Sequence, residues 1–281
     1  MSGPLPVPDA SKARGRLRLG TSGWDYPDWI GPFYPSGTAR SDFLMHYAER
    51  FDTVEIDSTF YRMPTARDAQ RWAARTPAGF RFCPKVPQEI THEKLLVGVE
   101  EEVRRLVEAL AAFGEKLGVV VAQLRYFRRA EGIAPESFAA RLAAFLDLFP
   151  REMAVALEVR NRTLWARQVL DVLRERGRGL VLIDHPWMDP PERIARREDI
   201  HPAPFTYVRL LGDRVAMEKV TTRWGAVVLD QSARIASWAE LIARALDQGR
   251  DVWVYVNNHY AGHAPATLEE LQARIRAQLG T

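Results

Sequence analysis

Apolar residues gather along the chain in eight short runs, at residues 17–21, 53–57, 80–86, 119–124, 153–160, 180–184, 205–211 and 251–257. Runs of this length, rich in Val, Leu, Ile and Phe, predict buried parallel strands. Between them the apolar spacing changes to three or four. Val103, Leu106, Val107, Leu110 and Phe113 predict a helix over 100–116 that Gly118 ends. Ser41 or Asp42 caps a helix through Arg50, and Thr65 caps one over 66–75. Pro135 opens a helix bearing Phe138, Leu142, Phe145 and Leu148 that stops at Pro150. Trp165, Val169, Val172 and Leu173 belong to a helix closing at Gly177, and further helices are predicted at 232–248 and 268–279. The segment 185–204 carries five prolines, which limit any helix to a few turns.

Eight strand–helix units with no leftover element predict an α/β fold, a single (β/α)8 TIM barrel with a long aromatic loop after strand 1. A doubly wound open sheet is the rival, but no Gly-x-Gly-x-x-Gly turn follows the first strand. No linker divides the chain, so one domain is expected over 16–281, preceded by a flexible Pro-rich tail over 1–15.

Side chains alternate between the two faces of a strand, and in a barrel one face meets the helices while the other fills the lumen. The more uniformly apolar parity is assigned to the helices: Val54 and Ile56, Phe80 and Phe82, Ala122 and Leu124, Leu157 and Val159, Val181 and Ile183, Val208 and Leu210, Val254 and Val256. The opposite parity then holds Glu55, Lys85, Gln123, Glu158, Arg160, Asp184, Arg209 and Asn257, all near the C-terminal ends of their strands. That rim is where barrels build their chemistry. An unpaired buried charge costs several kcal/mol, on the order of what a whole pair can return, so these groups must pair with one another, with water or with a ligand. The competing reading is a satisfied ionic lattice that plugs the barrel.

The composition is ordinary for a globular chain, with 47% hydrophobic and 27% charged residues in 281. A net charge of +3 does not by itself imply nucleic acid. Only 5 residues are Lys, so Lys85 at a strand end carries added weight. The single cysteine, Cys83, excludes an internal disulfide and a thiolate metal cluster. No apolar run approaches the ~20 residues of a membrane span. The expectation is a soluble cytoplasmic protein with no membrane partner.

The loop at 22–40 holds Trp24, Tyr26, Trp29, Phe33 and Tyr34. Its rings either bury one another as a compact Ω-loop or leave Trp24 or Tyr34 to stack on a ligand. Tyr61 and His92 follow strands two and three, within reach of the mouth, and His92 is the best placed of six histidines for proton transfer. His185 and His259 follow strands six and eight.

At these positions the chain resembles the YecE-like family, domain of unknown function 72. The resemblance rests on Gly20-Thr21-Ser22-Gly23-Trp24, Gly31-Pro32-Phe33-Tyr34-Pro35, the stretch from Phe51 to Tyr61 that includes Glu55 and Asp57, Trp72, Lys85-Val86-Pro87, Ile90-Thr91-His92, Gln123-Leu124, Glu158-Val159-Arg160 and Asn257-Asn258. It implies a TIM barrel and no assigned activity. Two places depart from the family pattern: Arg125-Tyr126 stands where a Pro pair is usual, and Leu211 stands where a His commonly precedes the Gly.

The leading expectation is an enzyme acting on a small polar or anionic substrate at the barrel mouth. Glu55, Lys85, Glu158 and His92 are the candidate catalytic residues; Trp24, Tyr34, Tyr61, Gln123, Arg160, Asp184, Arg209, Asn257 and Asn258 are the candidate binding residues. Hydrolase, lyase and isomerase chemistry stay open, as does the oligomeric state. No cofactor is expected. One alternative is a divalent-metal phosphodiesterase acting on nucleic acid, with Glu55, Glu158, Asp184, His185 and His259 as ligands. Another is a non-catalytic ligand-binding protein.

Overall fold

A computed structural model of the chain describes residues 13–281, so most of the expected tail lies outside the described residues. The eight strands are β1 (Leu17–Thr21), β2 (Thr53–Ile56), β3 (Arg81–Pro84), β4 (Val120–Gln123), β5 (Val155–Glu158), β6 (Gly179–Asp184), β7 (Phe205–Leu210) and β8 (Asp251–Val256). Helix α1 (Phe43–Arg50) follows β1, while α2 (Ser58–Tyr61) and α3 (Ala66–Ala73) follow β2. Helices α4 (Glu100–Ala111), α5 (Pro135–Leu146), α6 (Arg167–Glu175) and α7 (Pro191–Ile194) follow β3 to β6 in turn. After β7 come α8 (Arg214–Val220) and α9 (Ser232–Asp247), and α10 (Ala264–Leu279) follows β8.

Every strand pairing is parallel. Six strands form one curled sheet in the order β1-β8-β7-β6-β5-β4, and β2 pairs with β3 in a second sheet. The two pieces meet at seams held by isolated bridges, Ser22 to Glu55 on one side, Phe82 to Leu117 and Lys85 to Val121 on the other. A single continuous eight-strand ladder, as the repeat count predicts, is therefore not what forms. Both seams involve a glycine. A Cβ on Gly20 would sit 2.3 Å from the Thr53 carbonyl oxygen, and one on Gly118 would sit 2.7 Å from Cys83 Sγ. Only a residue without a Cβ allows backbone to approach that closely.

Residues paired across neighbouring parallel strands share a face. The register aligns Gln123 with Glu158 and Glu55 with Cys83, and Arg209 lies level with Tyr255, so these residues face inward as the parity predicts. Strand β6 is the exception. Val181 pairs with Tyr207 and Ile183 with Arg209, so both point into the lumen, while Asp184 pairs with Leu210 and faces the helices. Residues Leu180, Val181, Leu182 and Ile183 are apolar on both faces, so an apolar criterion cannot tell inside from outside there.

Other local departures have simple causes. Helix α4 ends at Ala111, short of the predicted 116, because Gly114 adopts φ 54 and starts a separate 3-10 turn over Gly114–Lys116. Helix α8, for which the sequence predicts no element, is capped by Asp213, whose carboxylate accepts from Ala216 N at 3.0 Å. Among the described residues no helix is long and apolar enough to cross a membrane.

Candidate active site

At the C-terminal end of the lumen, Arg209 on β7 reaches across to three other strands. Its Nη2 donates to Glu55 Oε1 on β2 at 2.5 Å, and its Nη1 donates to Gln123 Oε1 on β4 at 3.0 Å and to Glu158 Oε2 on β5. Both carboxylates are fully buried. Ser22 Oγ donates to Glu55 at 3.0 Å and Tyr207 Oη at 2.9 Å, and Arg160 Nε donates to Glu158 at 3.0 Å. Gln123 Oε1 thus serves the guanidinium. The arrangement is a bracket of two carboxylates and an amide around one arginine.

Lys85 stands beside that bracket. Its Nζ lies 3.2 Å from Asp57 Oδ1 and 4.6 Å from the Phe60 ring centroid, a cation–π distance. Thr59 Oγ1 accepts from Lys85 N and donates to the Lys85 carbonyl, which fixes the base of the side chain. Asp57 Oδ1 is buried and, despite the nearby ammonium, lacks a well-angled hydrogen bond; it also lies 3.8 Å from Arg209 Nη2. Three carboxylates, from Glu55, Asp57 and Glu158, thus face Lys85, Arg160 and Arg209, and the formal charges cancel. Of the six, Asp57 and Arg160 are the most open, with side chains 31% and 25% exposed.

The two bracket carboxylates are pushed apart in acidity. Burial raises the pKa of Glu55, and Arg209 only partly opposes it. Burial acts the same way on Glu158, but Arg209, Arg160 and Lys85 overcome it and hold the group at about 2. Carboxylates on both sides keep Arg209 charged in spite of its own burial. His92 sits on a π turn over Glu89–Glu93, edge-on to Phe60 at 4.9 Å, with Nδ1 2.9 Å from Thr91 Oγ1. Burial first, and then Arg160 and Lys85, lower its pKa to about 4. It is neutral at pH 7, with the protonated form disfavoured by those same causes.

Several expected site residues lie elsewhere. Asp184 faces outward, where Arg234 Nε, Trp238 Nε1 and Tyr260 Oη donate to it at 2.6 to 2.9 Å. It fastens β6 to α9 and leaves the mouth. Tyr34 is 1% exposed, stacked on Phe43 at 4.5 Å and donating to the Trp24 carbonyl, so it cannot stack on a ligand. Asn258 is buried and accepts from Ala264 N at the start of α10, a structural role. Asn257 folds back to accept from His259 N at 3.0 Å. Tyr61 is 70% exposed on the outer rim, edge-on to Phe60. The aromatic loop is mainly a packed unit around Trp29, yet Trp24 remains half-exposed.

With Asp184 on the far face, the proposed metal ligands do not converge. Among the described residues no three His, Cys, Asp or Glu side chains are grouped to hold a metal ion. Asp57, Ser22, Phe60 and Tyr207 join this cluster, although the sequence did not mark them as candidates. Asp57 and Tyr207 were within reach of the period-2 rule, each lying two residues from an inward charge.

A cavity of about 610 Å³ opens beside the bracket rather than above it. It touches the charged cluster at Ser22 and Asp57 and runs outward past Trp24 and Trp72.

Comparison with known proteins agrees with this architecture. Over 177 residues the chain is 29% identical to the UPF0759 protein YecE of Escherichia coli K12, a match spanning 60% of this chain and 59% of YecE. Its fold is similar to a DUF72 family protein of Thermotoga maritima, with a TM-score of 0.72, 22% identity, and coverage of 95% of this chain and 100% of that one. A glycoside hydrolase family 5 enzyme of Prevotella bryantii shares the fold more distantly, with a TM-score of 0.52, 12% identity, and coverage of 92% and 95%. Residues 18–280 match the family described as Protein of unknown function DUF72. The chain therefore belongs to the DUF72 family.

Proposed function

We propose that this protein is an enzyme acting on a small anionic molecule bound at the C-terminal mouth of the strands. The observation that carries the reading is the Lys85–Asp57 pair, 3.2 Å apart, standing at the edge of a buried carboxylate–arginine bracket. Lys85 and Arg160 supply the charge that binds a carboxylate or phosphate. Asp57 and the neutral His92 are the groups placed to take up or release a proton. Glu55 and Glu158 act one step behind. They fix Arg209, so its field is set before substrate arrives and costs no reorganisation during reaction.

The phosphodiesterase alternative loses Asp184 from its ligand set and has no observation in its favour. Ligand binding without turnover differs from the proposal only in the chemistry. Screening carboxylated and phosphorylated metabolites by thermal shift tests the reading, because a ligand raises apparent stability by mass action. A compound that stabilises the parent protein should fail to stabilise Lys85→Met, with circular dichroism unchanged, and should be converted to product in an NMR time course. Equal stabilisation of Lys85→Met removes the proposed site; binding without conversion leaves a binding protein.

A further inference from the structure

We infer that the cleft between the β1 loop and α3 is a separate binding site for a flat ring carrying an anionic group. Its cavity of about 610 Å³ falls within the range of small-molecule pockets. Lys85, Arg160, Arg209 and His92 do not line it, and Asp57 is the one charged residue it shares with the mouth. Trp24 and Trp72 meet there edge to face, with centroids 5.9 Å apart, and both are half-buried. Trp72 is braced from behind by Phe113 at 6.2 Å and 12°. The Trp24 carbonyl accepts from Tyr34 Oη at 2.6 Å, which anchors that residue to the packed part of the loop. Two indoles held this firmly form a stacking surface that loses little freedom when a ring settles against it.

The charge lining the same cleft suits an anion. Arg71 and Arg75 flank Trp72, and each uses one Nη2 in an ion pair, with Asp68 at 3.0 Å and Asp42 at 2.9 Å. A guanidinium has five N–H donors, so most of theirs remain for a ligand. Arg40 differs, being held bidentately by Asp25 at 2.6 and 2.7 Å. At the inner end of the cleft stands Asp57, whose Oδ1 is buried 3.2 Å from Lys85 Nζ while the side chain as a whole stays 31% exposed; the open part of its carboxylate would accept from a ring N–H or hydroxyl. Stacking rings, arginine donors at the outer edge and an acceptor at the inner end define a ligand with a hydrogen-bonding heteroaromatic ring and a carboxylate or phosphate.

Calorimetric titration of the full chain with AMP, adenosine and inorganic phosphate tests the site. AMP, which carries both features, should bind at least about tenfold more tightly than adenosine or phosphate alone. The variant Arg71→Gln with Arg75→Gln changes two exposed positions and should weaken AMP by about tenfold or more, as should Trp72→Ala if it keeps its circular dichroism. Lys85→Met, which leaves both indoles and both arginines in place, should weaken AMP by less than the paired arginine variant does. The inference is overturned if AMP fails to bind at about 1 mM, if adenosine or phosphate binds as tightly, if the paired arginine variant binds AMP normally, or if Lys85→Met weakens AMP more than the paired arginine variant does.

Discussion

Arg209 carries the largest share of the buried electrostatics, since one guanidinium compensates two carboxylates that have no access to water. Removing it leaves Glu55 and Glu158 facing each other in a low-dielectric space. Arg209→Leu should therefore cost about 3–5 kcal/mol, read from the urea midpoint. Glu158 sets a pH dependence with a definite sign. Its folded pKa of about 2 lies below the ordinary 4.5, so the unfolded chain binds the proton more readily. The resulting stability is present above pH 4.5 and is lost as pH falls toward about 2. Acid titration of Glu158→Gln should show a shallower loss across that window than the parent. Glu55, shifted the other way, has the opposite sign: its contribution is present below the ordinary 4.5 and is lost as pH rises through the raised folded value.

Among the elements, the strand ends divide into those the alternation rule places correctly and one it does not. Strands β2, β3, β4, β5, β7 and β8 each have one plainly apolar face, and their charged residues, or Gln123 in β4, lie opposite it. Strand β6 is apolar on both faces, so its sole charge could sit on either side, and hydrogen-bond partners on α9 decide the outcome. Asp184→Ala would leave buried donors on Trp238 and Tyr260 unsatisfied, and should cost about 1–3 kcal/mol in thermal denaturation. Any ligand affinity measured at the mouth should stay unchanged. The seams offer a second test. Gly20→Ala forces a Cβ onto the Thr53 carbonyl oxygen and should cost about 1–3 kcal/mol, with amide exchange rising first in β2 and β3.

Over the whole molecule, the eight-unit repeat was legible because strand and helix periodicities are written locally, in residues a few positions apart. The inward set Glu55, Lys85, Gln123, Glu158 and Arg209 was legible for the same reason. What the sequence determined by itself is this ordering of elements and the parity of most strands, since both follow from the fixed alternation of side chains along a backbone. Tertiary structure alone decided that the strands pair as six and two, that Asp184 and Tyr34 turn away from the mouth, and that Asp57 faces Lys85. Those outcomes depend on partners outside the strand or turn itself, 10 residues away for Tyr34 and 54 for Asp184, whose competition for each polar group is settled only when the chain closes on itself.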